Sequence, residues 1–285
     1  MMIMGIRTDI TAIHTITMII PIAMPMTIII RIVITMITCT MKIVTTIMTT
    51  VMDIRIRISM IEGNALPLLV WLSPSFPVGA FAYSHALEWA VESGDVSDLE
   101  SCKAWIADLL EYGSGWTDAM LLAHAWYASI NNDKSALQEL AELALALQPS
   151  AERHLETVTQ GNAFLVASLS AWPSKKLDFL RQHVFGDIAY PIAVGVAAAG
   201  FNIPLQNTLE SFLLGFVTNL VSSIIRLGPL GQTNGQKVIA NLLQMVCSVA
   251  QEAAQSNLND IGSSAFKSDI ASLRHETQYT RLFRS

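Results

Sequence analysis

The chain has 285 residues, 52% of them apolar, and a formal net charge of −6. Length and apolar content are ample for a buried core, and the acidic balance excludes the broad basic face that a nucleic-acid binder needs. The three cysteines, Cys39, Cys102 and Cys247, are odd in number, far apart and without a C-x-x-C pair, which suits reduced thiols in a cytoplasmic protein rather than a disulfide framework.

Two compositions share the chain. Residues 1–60 hold 19 Ile, 12 Thr and 11 Met but no Leu, Glu, Gln, Asn, Phe, Tyr or Trp. Ordinary globular or membrane segments do not omit leucine while using this much isoleucine, threonine and methionine. Codons for Ile, Met and Thr begin with A followed by T or C, the product of His and Asp codon runs read out of frame. Residues 1–59 are therefore expected to be an out-of-frame or misassigned N-terminal extension without a fold, with the native start near Met60. A DNA reading without a His-rich alternative frame would overturn this. The competing reading is a membrane anchor at residues 10–30, where only His14 is ionisable. Pro21, Pro25 and the threonines weaken that reading, and no signal-peptide cleavage pattern follows.

From Ala65 onward the pattern is helical. Leu72 to Glu88 reads L-S-P-S-F-P-V-G-A-F-A-Y-S-H-A-L-E, and Pro74, Pro77 and Gly79 forbid a regular helix through its first half. Phe76, Val78 and Phe81 are expected to pack into a helix beginning near Phe81 and ending at Ser93-Gly94. Ser97 to Glu100 reads as a capping box for the next helix. After a Gly113-Ser114-Gly115 break, helices are expected over 116–130, 134–147 and 151–169, the last weakly interrupted at Gly161. Shorter ones follow to about Phe185 and over 191–199. Pro204 opens the most apolar segment, predicted to be the central helix, and a further helix runs from Asn234 or Gly235 to about Ala254. No strand alternation occurs after Ala65. The expectation is an all-α, single helical-bundle domain of about ten helices over 60–264, followed by a flexible C-terminal tail over 265–285.

No phosphate loop, dinucleotide fingerprint, H-E-x-x-H or G-x-S-x-G motif is present. The histidines of the domain, His85, His124, His154, His183 and His275, are dispersed, so no catalytic residue, metal site or cofactor is expected. The tail is unusual for an acidic chain. Arg274, Arg281 and Arg284 alternate with Tyr279, Leu282 and Phe283, residue types that anchor interfaces, as in a segment that orders on binding.

The run from Ser73, S-P-S-F-P-V-G-A-F-A-Y-S-H-A-L-E, resembles the N-terminal signature of the urease accessory protein F family, UreF. R-H-E-T-Q-Y-T-R-L-F-R-S from Arg274 resembles that family's C-terminal tail. Tyr190 to Gly195 and Arg226 to Gln232 are also similar to the family pattern, and the likeness covers 65–285. Ala86 stands where the family pattern has glycine, and Thr280 where serine is more usual. The resemblance implies a helical, non-catalytic, dimeric scaffold that binds UreD (UreH) partly through the tail, recruits the GTPase UreG and serves nickel insertion into apo-urease. Arg274, His275, Glu276, Thr277, Gln278, Tyr279, Arg281, Leu282, Phe283 and Arg284 would then engage UreD. Tyr83, Ser84 and Glu88 would form a signature surface. It also implies a source for the first 59 residues, because the accessory protein encoded just upstream often ends in a histidine-rich, nickel-binding tail. The rival classes are an enzyme of unrecognised type and a membrane-anchored helical interaction protein.

Overall fold

The computed structural model describes residues 65–285. The expectations for residues 1–59 and for the apolar run at 10–30 lie outside the described residues. Eleven α-helices, two short 3-10 turns and no strand occur among the described residues, in agreement with an all-α bundle. The helices are α1 Leu66–Trp71, α2 Leu87–Glu92, α3 Leu99–Tyr112, α4 Ser114–Asn131, α5 Lys134–Ala146, α6 Ala151–Ala171, α7 Lys175–His183, α8 Tyr190–Gly200, α9 Leu205–Leu227, α10 Gln232–Ala253 and α11 Phe266–His275.

Side-chain caps fix several starts. The Asp98 carboxylate accepts from the Ser101 N–H at 2.8 Å, and Ser101 Oγ accepts from the Asp98 N–H at 3.0 Å. This reciprocal box sits one residue later than the Ser97–Glu100 expectation, because Asp98 takes the capping position and Ser101 supplies the returning oxygen. Asp133, Ser150 and Ser174 cap α5, α6 and α7 in the same way, accepting from Ala136, Arg153 and Leu177 N–H groups at 3.1, 3.2 and 3.3 Å.

The central helix is α8 rather than the longer α9. Every side chain from Pro191 to Ala199 is buried, and α8 lies against both α4 and α6. Its small residues permit that enclosure. A Cβ on Gly195 would stand 2.6 Å from the Leu122 carbonyl oxygen, so glycine is required where α8 crosses α4. Gly161 does the same work in α6, where a Cβ would overlap the Ile188 carbonyl. α6 is therefore continuous through it. Among the described residues α9 is the one helix long and apolar enough to cross a membrane by length and composition, with 50% of its most apolar window buried in the bundle. It leaves Leu214 and Phe216 only partly covered.

An aromatic cluster joins the loop after α1 to this core. The Phe164 ring lies 5.9 Å from Trp71, 5.3 Å from Phe76 and 5.8 Å from Tyr190, spacings at which edge and offset contacts are favourable.

Candidate functional site: a clasp between the signature loop and the tail

The loop from Leu72 to Ala86 is irregular for the reasons its prolines and Gly79 dictate. Phe76 and Val78 turn inward, but Phe81 is 66% exposed. The 3-10 turn Ala80–Ala82 carries it out, where the Arg226 guanidinium lies 3.5 Å over its ring and donates to its carbonyl oxygen at 2.6 Å. The helix starts at Leu87 instead of Phe81, because His85 and Ala86 both occupy the left-handed region, at φ 60 and φ 65. That conformation costs roughly 1–2 kcal/mol in a residue with a Cβ and almost nothing in glycine.

The turn is clasped by the end of the tail. The Ser84 N–H donates to the Ser285 main-chain oxygen at 2.9 Å, with the Ser84 hydroxyl on the same acceptor, and the Arg284 N–H donates to the Ala82 carbonyl at 2.9 Å. In the first turn of α2, Glu88 receives the Leu282 and Phe283 N–H groups at 2.6 and 2.8 Å. His275, fully buried, sits between two carboxylates, with Nε2 3.4 Å from Glu88 and Nδ1 2.6 Å from Glu152. Arg281 donates to the other Glu152 oxygen at 2.6 Å, Gln278 donates to Glu92, and Glu276 accepts from the Ala151 N–H at 2.9 Å. Phe283 is buried beneath Arg226, whose guanidinium lies 4.2 Å from its ring. Residues 265–285, expected to be a flexible tail, are thus helix α11 followed by a strap held against α2 and α6. Periodicity gives no warning of this, because the strap is anchored by backbone N–H groups on buried carboxylates.

Beneath the clasp, α6 contributes a buried charge pair. Arg153 binds Glu156, which also accepts from the Ser285 hydroxyl at 2.6 Å and from Gln160 at 3.3 Å. Burial pushes the Glu156 carboxyl upward, but Arg153, His85 and the Ser285 donor outweigh it and hold Glu156 well below the usual carboxylate range. The His85 ring spans Glu156 Oε1 at 3.3 Å and the Ser114 hydroxyl at 2.6 Å, and burial, reinforced by Arg153, lowers its pKa to about 4. Asp118 lies nearby on α4, pushed up to about 7 by burial.

A family model described as UreF matches residues 96–243, just over half of the chain. A urease accessory protein UreF of Xanthobacter autotrophicus is 54% identical over 222 residues, 78% of this chain and 91% of that relative. The chain belongs to the UreF family. Relatives of the same description in Rhodopseudomonas palustris strain BisB5 and Azorhizobium caulinodans are 51% and 48% identical, over 76% and 78% of this chain and 90% and 96% of their own lengths. Of the four runs that resemble the family pattern, the signature and the tail are the two halves of the clasp, flanking the 96–243 match. The glycine expected at position 86 from the resemblance has a physical reason, since Ala86 stands in the left-handed region.

The site residues expected from the UreF likeness divide into two sets. Tyr83, Ser84, Glu88, His275, Gln278 and Phe283 are buried, and Glu276 is half-buried. Arg274, Thr277, Tyr279, Arg281, Leu282 and Arg284 face outward. The structure brings Ser84, Glu88, His275, Leu282 and Phe283 into direct contact within one chain. Sequence reasoning missed Glu152, Arg153, Glu156, Asp118 and Arg226. A signal was available for the α6 group: Glu152, Glu156 and Gln160 recur at helical spacing on the side that also buries Arg153 and Phe164, and charged groups on a core-facing stripe need partners.

Proposed function

We propose that this chain is a non-catalytic urease accessory scaffold that, as a cytoplasmic homodimer, binds UreD (UreH) and recruits UreG for nickel insertion into apo-urease. The observation that carries the reading is the outer face of the clasp. Phe266, Ile270 and Leu273, at i, i+4 and i+7 along α11, are 70%, 57% and 52% exposed, and the strap adds Tyr279 at 102% and Leu282 at 62%. Large apolar side chains left outside on a polar-anchored strap form the hydrophobic centre of an interface, with Arg274, Thr277 and Arg284 as its polar rim. The buried residues of the expected set act behind that face, as its support. The scaffold's contribution is geometric: holding UreD and UreG on one body raises their effective concentration and couples GTP hydrolysis to metal transfer.

The experiment is co-purification of this chain with UreD and UreG from the same genome, with urease activation as the second readout. Ile270→Glu with Leu273→Glu changes only exposed positions, so the domain is expected to fold and to lose UreD by at least about 100-fold in affinity. Truncation before Arg274 is expected to leave a folded domain that no longer binds UreD. Undiminished binding by both variants would overturn the assignment of the face.

A further inference from the structure

A cavity of about 160 Å³ lies beside the clasp, between the signature loop, α6 and α9. Trp71, Phe76, Tyr190, Phe212 and Phe216 supply its walls, and Phe81 stands at its mouth. The charged lining is concentrated in His85, Asp118, Arg153 and Glu156. Three of those four are committed. Arg153 and Glu156 neutralise each other, and the His85 ring is engaged on both nitrogens by Glu156 and Ser114. Asp118 is the exception. It is 8% exposed, and among the described residues its side chain makes no hydrogen bond or ion pair to protein, its oxygens keeping only a slight contact with solvent. A carboxyl with so little water and no protein partner is poorly compensated, and this one lines an aromatic-walled space able to admit a complement.

We propose that this cavity is a binding site for a small organic cation, an ammonium or guanidinium head on a short apolar stem, with Asp118 as its counter-charge. The head supplies the N–H donors that Asp118 lacks, and the aromatic walls favour both a cation and a hydrocarbon stem. At about 30 Å³ per water, the cavity holds roughly five waters' worth of ligand, enough for a head group and three or four carbons. A divalent metal is disfavoured by the donor chemistry, because the lone pairs of Glu156 and His85 are already taken and one carboxylate is too few ligands.

The site carries a pH signature. Asp118 faces Arg153, which lowers its pKa, and Glu156, which raises it, with burial the largest influence and the result about 7. The other titratable groups around the cavity stay uncharged near neutrality, His85 because burial and Arg153 lower it and Tyr190 because burial raises it. Cation uptake therefore displaces a proton, and affinity falls up to about tenfold per pH unit below about pH 7 while levelling off above it.

Titration calorimetry of the full chain with n-butylammonium and n-propylguanidinium tests this, beside neutral n-butanol and nickel(II) sulfate. Saturable binding below about 10 mM at about pH 8, at least tenfold tighter than n-butanol and at least about tenfold weaker at about pH 6, is the expected result. Asp118→Asn removes the charge at constant shape and is expected to abolish it. The neutral comparison needs no variant, so the test stands even where Asp118→Asn misfolds. No saturation by either cation, equal binding of n-butanol, or Asp118-dependent binding of nickel(II) alone would each overturn the proposal.

Discussion

The α4–α8 crossing and the clasp are built on opposite principles. The crossing is small, apolar and close-packed at its centre, with Gly195 against the Leu122 carbonyl. The clasp is a set of carboxylates, Glu88, Glu152 and Glu156, satisfied by backbone N–H groups, a buried histidine and arginines. Packing tolerates changes of pH and salt, because dispersion and apolar burial do not depend on charge. A buried polar network has the reverse character. It is stable only while every member keeps its partner, and it specifies a single arrangement of the chain more than it adds net stability. The difference teaches that this domain separates what packs its core from what positions its C-terminal strap.

Three changes break or sharpen that contrast. Phe164→Ala strikes the packed side, removing the ring that joins Trp71, Phe76 and Tyr190. It is expected to lower unfolding free energy by about 3–5 kcal/mol, measured in urea, with little change between acidic and neutral pH. Asp118→Asn strikes the polar side and is expected to depend steeply on pH. The native pKa of about 7 lies above the ordinary value of 3.8, so the native state holds the extra proton. Its stabilising contribution is full below the unfolded pKa and is lost as pH rises through the native one. The variant should match the parent near pH 4 and exceed it by up to roughly 3–4 kcal/mol near pH 8. A flat difference across that window would show that burial does not raise the Asp118 carboxyl. The smallest effect is Ala86→Gly, which relieves a left-handed alanine. The melting temperature should rise by the equivalent of about 1 kcal/mol, and amide exchange at Leu282 and Phe283 should slow in step if the turn and the strap form one unit.

Helix existence is legible from α2 to α10, because apolar spacing and the Ser or Asp caps at Asp133, Ser150 and Ser174 are local signals, whereas the short α1 and α11 beside the irregular segments are not. Which helix is central was not legible. Length and leucine content favoured α9, whereas enclosure on all sides depends on how closely neighbours approach, and that is set by the alanines and Gly195 of α8. The signature and tail were both visible as unusual segments, and their likeness to one family tied them to one function. Their contact with each other was beyond reading, since it is made by backbone N–H groups on Glu88, to which side-chain patterns are blind. Helical spacing puts Phe81 inside only if the helix runs through His85 and Ala86, and both are left-handed. A left-handed pair of non-glycine residues has no signature in a single sequence.

Ser84 and the residue that receives its N–H lie 201 positions apart. At a synthesis rate of about 5–20 residues per second, the signature turn waits roughly 10–40 s on the ribosome before its counterpart exists. Through that interval the Glu88 carboxylate lacks the Leu282 and Phe283 N–H groups that it receives in the finished fold. The clasp is therefore among the last contacts of the fold to form, because its two halves cannot meet until the strap has been made.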